Sequence, residues 1–252
     1  MDHTVTPSMG PSQDSENWND RTLRLIGEKG VDALRAASVL VVGVGGVGGY
    51  AAEMLVRTGV GRLTLIDADS VAESNINRQL IATRSTVGES KVFLFAERFH
   101  DINPEARIDS RMEFLSAESI PGLFHDRHYD IVIDAIDTVG PKTALISHCL
   151  TNHIPLISSM GAGGRVDPTK IGYFDLWETR EDGLARAVRQ KLKAEGLRRP
   201  LKVVASTEKP MSHSLLEVNT INKRTSYGTI ATIPAIFGIF LANYAVRRIT
   251  GV

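Results

Sequence analysis

The run SVLVVGVGGVGG, Ser38–Gly49, decides how this chain is read. Ser38–Val42 is short, apolar and rich in β-branched side chains, and it stops at glycines, which is the pattern of a buried strand. Gly46–Thr58 then places Val47, Ala51, Met54, Leu55 and Thr58 on one side of a helix. Gly43, Gly45, Gly46 and Gly48 therefore stand between a strand and a helix. There the backbone can turn tightly and approach a phosphate, and the helix N-terminus offers free N–H groups and a partial positive charge. A tight turn without a ligand is the plainer reading, but the strand–loop–helix context favours a nucleotide site. The loop alone does not separate a dinucleotide from ATP.

Outward from this run the same rhythm repeats. Arg62–Asp67 reads as a second strand. Val92, Phe95, Phe99 and Ile102 recur at helical spacing and are stopped by Asn103 and Pro104. Ala106–Ser110, Asp130–Ala135 and Ile154–Ser158 supply further strands, with a helix after the second of these whose first turn admits Pro141. Strands alternating with helices imply parallel pairing through right-handed crossovers. After residue 160 the rhythm changes: Ile171–Asp175 and Leu201–Ser206 read as strands around a helix at Leu184–Ala194. The expected class is α/β, a Rossmann-like, mostly parallel sheet with flanking helices, extended by a C-terminal mixed α/β portion. Residues 1–16 are expected to be a disordered tail rich in Ser, Pro, Thr and Asp, and 17–252 one domain.

Composition narrows the function classes. The 252 residues carry 29 Lys+Arg against 29 Asp+Glu, which argues against nonspecific coating of nucleic acid but leaves room for a local basic patch. Such a stretch exists: Arg186, Arg189, Lys191, Lys193, Arg198, Arg199 and Lys202 are interrupted by one acid, Glu195. It is either a solvated helix face or a surface that contacts phosphates. The single cysteine, Cys149, rules out an intrachain disulfide and a Cys-rich zinc site, and reads as a small core residue. The first twenty residues lack the basic start and apolar run of a signal peptide, so a cytoplasmic protein is expected. Thr229–Val246 carries no charge and is interrupted by Pro234, Gly238 and Asn243. It reads as a buried terminal helix or one covered by a partner subunit, with membrane association through 229–246 the weaker alternative.

The residues that carry chemistry follow the glycine loop. Asp67 closes the second strand, where a carboxylate accepts hydrogen bonds from ribose hydroxyls, whether of NAD or of ATP. SNINRQ, Ser74–Gln79, is followed by VGESK, Val87–Lys91. A dehydrogenase has no need of an Arg and a Lys here, whereas an enzyme handling a triphosphate uses them against developing phosphate charge. Asp137 stands just beyond the fourth strand, and a carboxylate among phosphates is a natural magnesium ligand.

The glycine loop, LTLID (Leu63–Asp67), SNINRQ, VGESK and DAID (Asp134–Asp137) together resemble the ubiquitin-activating-type, or ThiF-type, adenylating enzymes. The resemblance implies that Gly46 and Asp67 contact adenosine. It gives Asn75, Arg78 and Lys91 the phosphates, with Gln79 in the same ATP-binding set, and gives Asp137 magnesium. It also implies a homodimer in which Arg21, within NDRTLRLIGEKG, reaches the partner's ATP. The chain departs from sulfur-carrier activators in lacking their two Cys-x-x-Cys zinc pairs, so no zinc is expected. SSMGAGGRVDPTKI (Ser158–Ile171), DLWET (Asp175–Thr179), DGLARAVRQKLKAEG (Asp182–Gly196) and VVASTEKP (Val203–Pro210) are similar to one subfamily, the tRNA threonylcarbamoyladenosine dehydratases. That likeness implies ATP-dependent ring closure of threonylcarbamoyladenosine at position 37 of tRNA through a carboxyl-adenylate, with no protein thiol required. It turns Arg186, Arg189, Lys191, Lys193, Arg198 and Arg199 into candidate tRNA contacts and brings in a cysteine-desulfurase system as a protein partner. The alternatives are an activator of a ubiquitin-like sulfur carrier, a non-catalytic sulfur-relay or tRNA scaffold, and an NAD-dependent oxidoreductase.

Overall fold

The computed structural model describes residues 17–220 and 223–252, with the backbone alone described over 216–220 and 223–226. The expected tail at 1–16 lies outside the described residues. In chain order the elements are α1 (Asp20–Ala36), β1 (Ser38–Val42), α2 (Gly48–Thr58), β2 (Arg62–Ile66), α3 (Lys91–Ile102), β3 (Arg107–Arg111), β4 (Ile131–Asp134) and α4 (Val139–Thr151). They continue with β5 (Leu156–Ser159), β6 (Ile171–Asp175), α5 (Gly183–Ala194), β7 (Lys202–Ser206), β8 (Leu215–Thr220), β9 (Lys223–Tyr227) and α6 (Thr232–Thr250).

Seven strands form one sheet in the order β3-β2-β1-β4-β5-β7-β6, and β8 pairs with β9 as a separate antiparallel hairpin. Every pairing in the large sheet is parallel except β6 on β7. The chain moves from β1 outward to β3 and then returns to place β4 on the other side of β1. The carboxyl ends of β1 and β4 thus form a topological switch point, where open sheets bind ligands. Because alternate side chains point to opposite faces, Val39 and Val41 enter one core with α2, α3 and α6, while Leu40 and Val42 enter a second with α4 and α5. Burial on both faces is why β1 reads as a continuous apolar run.

Differences from the expected elements have local causes. The fifth strand starts at Leu156 because the Ile154 N–H closes α4 by donating to the Cys149 carbonyl at 2.9 Å, and Pro155 has no N–H. Helix α1 lies in a segment whose pattern is broken by Gly27, which leaves helical geometry with φ 71°. The hairpin β8–β9 was likewise not read from the sequence.

The uncharged C-terminal run forms α6, which buries Ile233, Pro234, Phe237, Leu241 and Ala245 against the sheet and α2. No helix among the described residues is long and apolar enough to cross a membrane. Gly238 marks the close crossing of α6 over α2: a Cβ there would lie 2.3 Å from the Val47 carbonyl oxygen and 2.9 Å from Tyr50 Cβ. Gly238→Ala is expected to force the helices apart and to cost about 1–3 kcal/mol, the usual penalty of overpacking, measured as a fall in urea midpoint at constant m-value.

Candidate active site

The glycine loop is held by backbone contacts that exclude side chains. Gly43 has φ +84°, and a Cβ on it would stand 2.9 Å from the Ala135 carbonyl oxygen. A Cβ on Gly48 would stand 1.8 Å from the Gly43 carbonyl oxygen. These approaches bring the first turn of α2 against the end of β1 and press the loop onto the β4–α4 turn that carries Asp137. Asp137 is solvent-exposed there.

The Asp67 carboxylate locks the loop to the end of β2. Its Oδ2 accepts the Val44 N–H at 2.8 Å and its Oδ1 accepts the Asp69 N–H at 2.9 Å. Each oxygen keeps a lone pair for a further donor such as a ribose hydroxyl. Burial pushes the Asp67 pKa above its ordinary value, and the Lys91 charge and these N–H bonds pull against that rise. Lys91 is 3% exposed and its Nζ donates to Asp69 Oδ2 at 2.8 Å, while the Asp69 side chain is 71% exposed. Asp69 was not singled out by motif; an acid two residues beyond Asp67 is its only sequence signal.

The SNINRQ segment packs over the loop. Asn75 Oδ1 accepts the Ala72 N–H, and its carbonyl receives Arg78 and Gln79 N–H, so Asn75 shapes the turn. Arg78 Nη1 donates to the Ser74 carbonyl at 2.7 Å and Asn77 Oδ1 at 2.9 Å. A Cβ on Gly46 would touch the Arg78 carbonyl oxygen and side-chain stem and Pro234 of α6. A Cβ on Gly45 would lie 3.5 Å from Gln79 Nε2. Gln79 is buried, and its Oε1 has no hydrogen-bond partner. A buried amide oxygen costs free energy unless something donates to it, so this orphan beside Gly45 fits a polar ligand such as the nucleotide.

Behind the β4–α4 turn lies a buried ionic network that the sequence did not reveal. Asp134 and Lys142 are both 0% exposed and pair at 2.7 Å. Ser158 Oγ donates to the same Asp134 oxygen at 2.6 Å, and Asp134 Oδ1 accepts the Ile136 N–H at 3.0 Å. The network fixes the turn one residue before Asp137. No group of three or more His, Cys, Asp or Glu side chains able to hold a metal occurs among the described residues. A magnesium ion here would therefore take Asp137 together with substrate phosphates, as that ion commonly does.

Further along the same edge, Arg165 is 3% exposed and joins three segments. Its guanidinium donates to the carbonyls of Gly161, Gly163 and Glu181, to Asp182 and to the Glu208 carbonyl. Asp182 caps α5 by accepting the Ala185 N–H, and also accepts the Gly161 N–H at 2.9 Å. The glycine-rich segment after β5 is thereby tied to the start of α5.

The expected basic face is present with one correction. Arg186, Lys191, Lys193, Arg198 and Arg199 are exposed. Arg189 is half-buried, and its Nη1 donates to the Leu176 and Thr179 carbonyls and to Thr179 Oγ1, so it braces the turn after β6 instead of facing outward. Arg21 is exposed on the first turn of α1 and makes no hydrogen bond or ion pair with the other candidate residues among those described. Cys149 is fully buried, and burial with nearby Asp134 pushes its thiol up to about 12, so it holds no thiolate at neutral pH.

A nucleotide loop at the switch point, with a lysine and an arginine placed around it, defines an adenylating-type α/β protein. The chain belongs to the ThiF family, which matches residues 19–252. The tRNA threonylcarbamoyladenosine dehydratase of Escherichia coli is 46% identical over 184 residues, 72% of this chain and 68% of that protein. The Bacillus subtilis protein of the same name is 46% identical over 124 residues, 49% of this chain and 48% of its own length. The crystal structure of the E. coli dehydratase in complex with ATP superposes with a TM-score of 0.85 at 38% identity, covering 92% of this chain and 93% of that one.

Removal of the Lys142 ammonium would strand the Asp134 charge in the core. Lys142→Ala is expected to cost about 3–5 kcal/mol in urea unfolding, with Asp134→Ala added to it restoring part of the loss.

Proposed function

We propose that this chain catalyses the ATP-dependent dehydration of threonylcarbamoyladenosine at position 37 of tRNA, closing a ring through a carboxyl-adenylate. The carrying observation is the grouping of Asp67, Arg78, Gln79 and Lys91 around a glycine loop with an unpaired buried acceptor, in a chain so similar to named dehydratases. ATP supplies one piece of chemistry: it replaces the poor leaving group of the threonyl carboxylate with AMP. A neighbouring atom of the ureido group then displaces AMP and loses its proton, so the net change is loss of water.

The residues of the chain bind and neutralise. Asp67 holds the ribose, and the glycine loop lets the phosphates reach the N-terminus of α2. Asn75 sets the turn that aims Arg78, and Arg78 and Lys91 offset charge growing on the departing pyrophosphate. Asp137 would hold magnesium against the phosphates, the one chemistry assigned to that ion being charge neutralisation. No thiol is needed, in keeping with a cysteine sealed in the core. The reading includes residues 17–252 acting as one domain in a homodimer, with Arg21 reaching the partner's site. It includes a cytoplasmic location with the tRNA, contacted by Arg186, Lys191, Lys193, Arg198 and Arg199. A cysteine-desulfurase system remains a proposed protein partner.

Incubation of the protein with ATP and tRNA carrying threonylcarbamoyladenosine is expected to lower the nucleoside mass by one water, read by mass spectrometry of digested tRNA. An unchanged nucleoside, with ATP–pyrophosphate exchange driven by a Gly-Gly-ended carrier protein, would give the activity to a sulfur-carrier activator. Arg78→Ala and Lys91→Ala should fold normally and lose about 10²–10³ in turnover, each having removed a contact to developing charge. Wild-type turnover in either would sink the assignment. The ribose contact needs ionised Asp67, whose pKa is raised by burial. Affinity for ATP should therefore weaken on acidification at a higher pH than an ordinary aspartate would dictate, and Asp67→Asn should remove this dependence at the expense of affinity.

A further inference from the structure

On the amino edge of the sheet, opposite the glycine loop, a groove of about 400 Å³ opens between the end of α4, the start of β7 and α6. His153, Arg199, Lys202 and Arg248 line it over an apolar floor that includes Pro155 and Leu201, and no Asp or Glu lines it. Arg199 Nη1 is held by the Leu150 carbonyl at 2.9 Å and stands 3.5 Å from His153 Nε2. Asp175, opposite Lys202 in the β6–β7 register, gives one oxygen to the Trp177 N–H and the other to the Leu201 N–H. No ion pair neutralises Arg199, Lys202 or Arg248 among the described residues. His153 has φ 56°, the left-handed position after a helix that favours glycine, and it places an imidazole at the groove instead.

We propose that this groove is a second phosphate-binding site, which holds backbone phosphates of the tRNA at a distance from the nucleotide being modified. The proposal rests on the dehydratase reading. Concentrated positive charge without a carboxylate selects a polyanion. Helix α5 supplies the connection. Its N-cap Asp182 is bonded to Gly161 at the carboxyl edge, and its 12 residues run for about 18 Å toward the amino edge, where the chain turns into Lys202. Arg186 and Lys193 are seven residues apart and share one flank of this helix. A phosphodiester backbone following that flank passes from the catalytic edge to the groove, where Arg199, Lys202 and Arg248 receive it.

The test uses the full chain and purified tRNA carrying threonylcarbamoyladenosine. Binding is measured across a series of KCl concentrations for wild type and for Lys202→Gln combined with Arg248→Gln. Both residues are exposed and outside the nucleotide site. The double variant is expected to bind tRNA about tenfold more weakly near 0.1 M salt, with the slope of log affinity on log salt reduced by about 1–2, as loss of two phosphate contacts requires. Affinity for ATP and Tm should not move. A wild-type slope in the double variant overturns the groove assignment alone. Loss of inorganic pyrophosphate binding with an unchanged tRNA slope also overturns it, in favour of a free-anion site. Wild-type protein that fails to bind this tRNA overturns the dehydratase reading together with the groove.

Discussion

The rest of this structure depends on a contact between pieces of bare backbone. Gly48 approaches the Gly43 carbonyl so closely that a Cβ would lie 1.8 Å from it, and Gly43 in turn leans on Ala135. That contact joins the β1–α2 loop to the β4–α4 turn at the one place where the sheet order reverses. It sets the first turn of α2 where its free N–H groups face the ligand edge, and it brings Asp137 from a distant part of the chain to the same spot. Any side chain at these glycines would separate the two halves of the site.

Charge is arranged around this contact in two layers. At the surface of the site, Lys91 keeps its stem buried and pairs with exposed Asp69, and its field reaches Asp67. Beneath it, Asp134 and Lys142 neutralise each other out of water. A buried pair of this kind is weak evidence for net stability, because desolvation offsets much of the attraction. Its visible consequence is geometric: Asp134 holds the Ile136 N–H, and so the turn before Asp137. Arg165 does the same for the glycine-rich segment after β5, tying it to the N-cap of α5.

Legibility in the sequence followed burial and locality. The strand at Ser38–Val42 and that at Ile171–Asp175 were read with the bounds they have, because each is a compact run with sharp ends. The fifth strand was misplaced because an α-helical cap and a proline consume its first residues. Helix α1 was hidden by glycines within its own span. The nucleotide loop was legible because glycine spacing is a local constraint on backbone shape. Arg189 was not separable from its basic neighbours, since its acceptors are carbonyls of Leu176 and Thr179, which no charge count reveals. Gly238 read as an interruption of an apolar run and is instead the crossing point of α2 and α6.

The sequence by itself determined the class of fold, the nucleotide loop and the polar residues that follow it, because period, glycine placement and strand-end carboxylates are properties of short segments. It also carried the family, through motifs in order along nearly the whole chain. Only the tertiary structure decided which charges pair. The charged partners of Lys91, Lys142 and Arg165 lie 22, 8 and 17 residues away, and contacts between side chains at such separations leave no periodic trace. The same is true of the groove on the amino edge, where Arg248 of the last helix meets Arg199 and Lys202 only because the sheet brings them together.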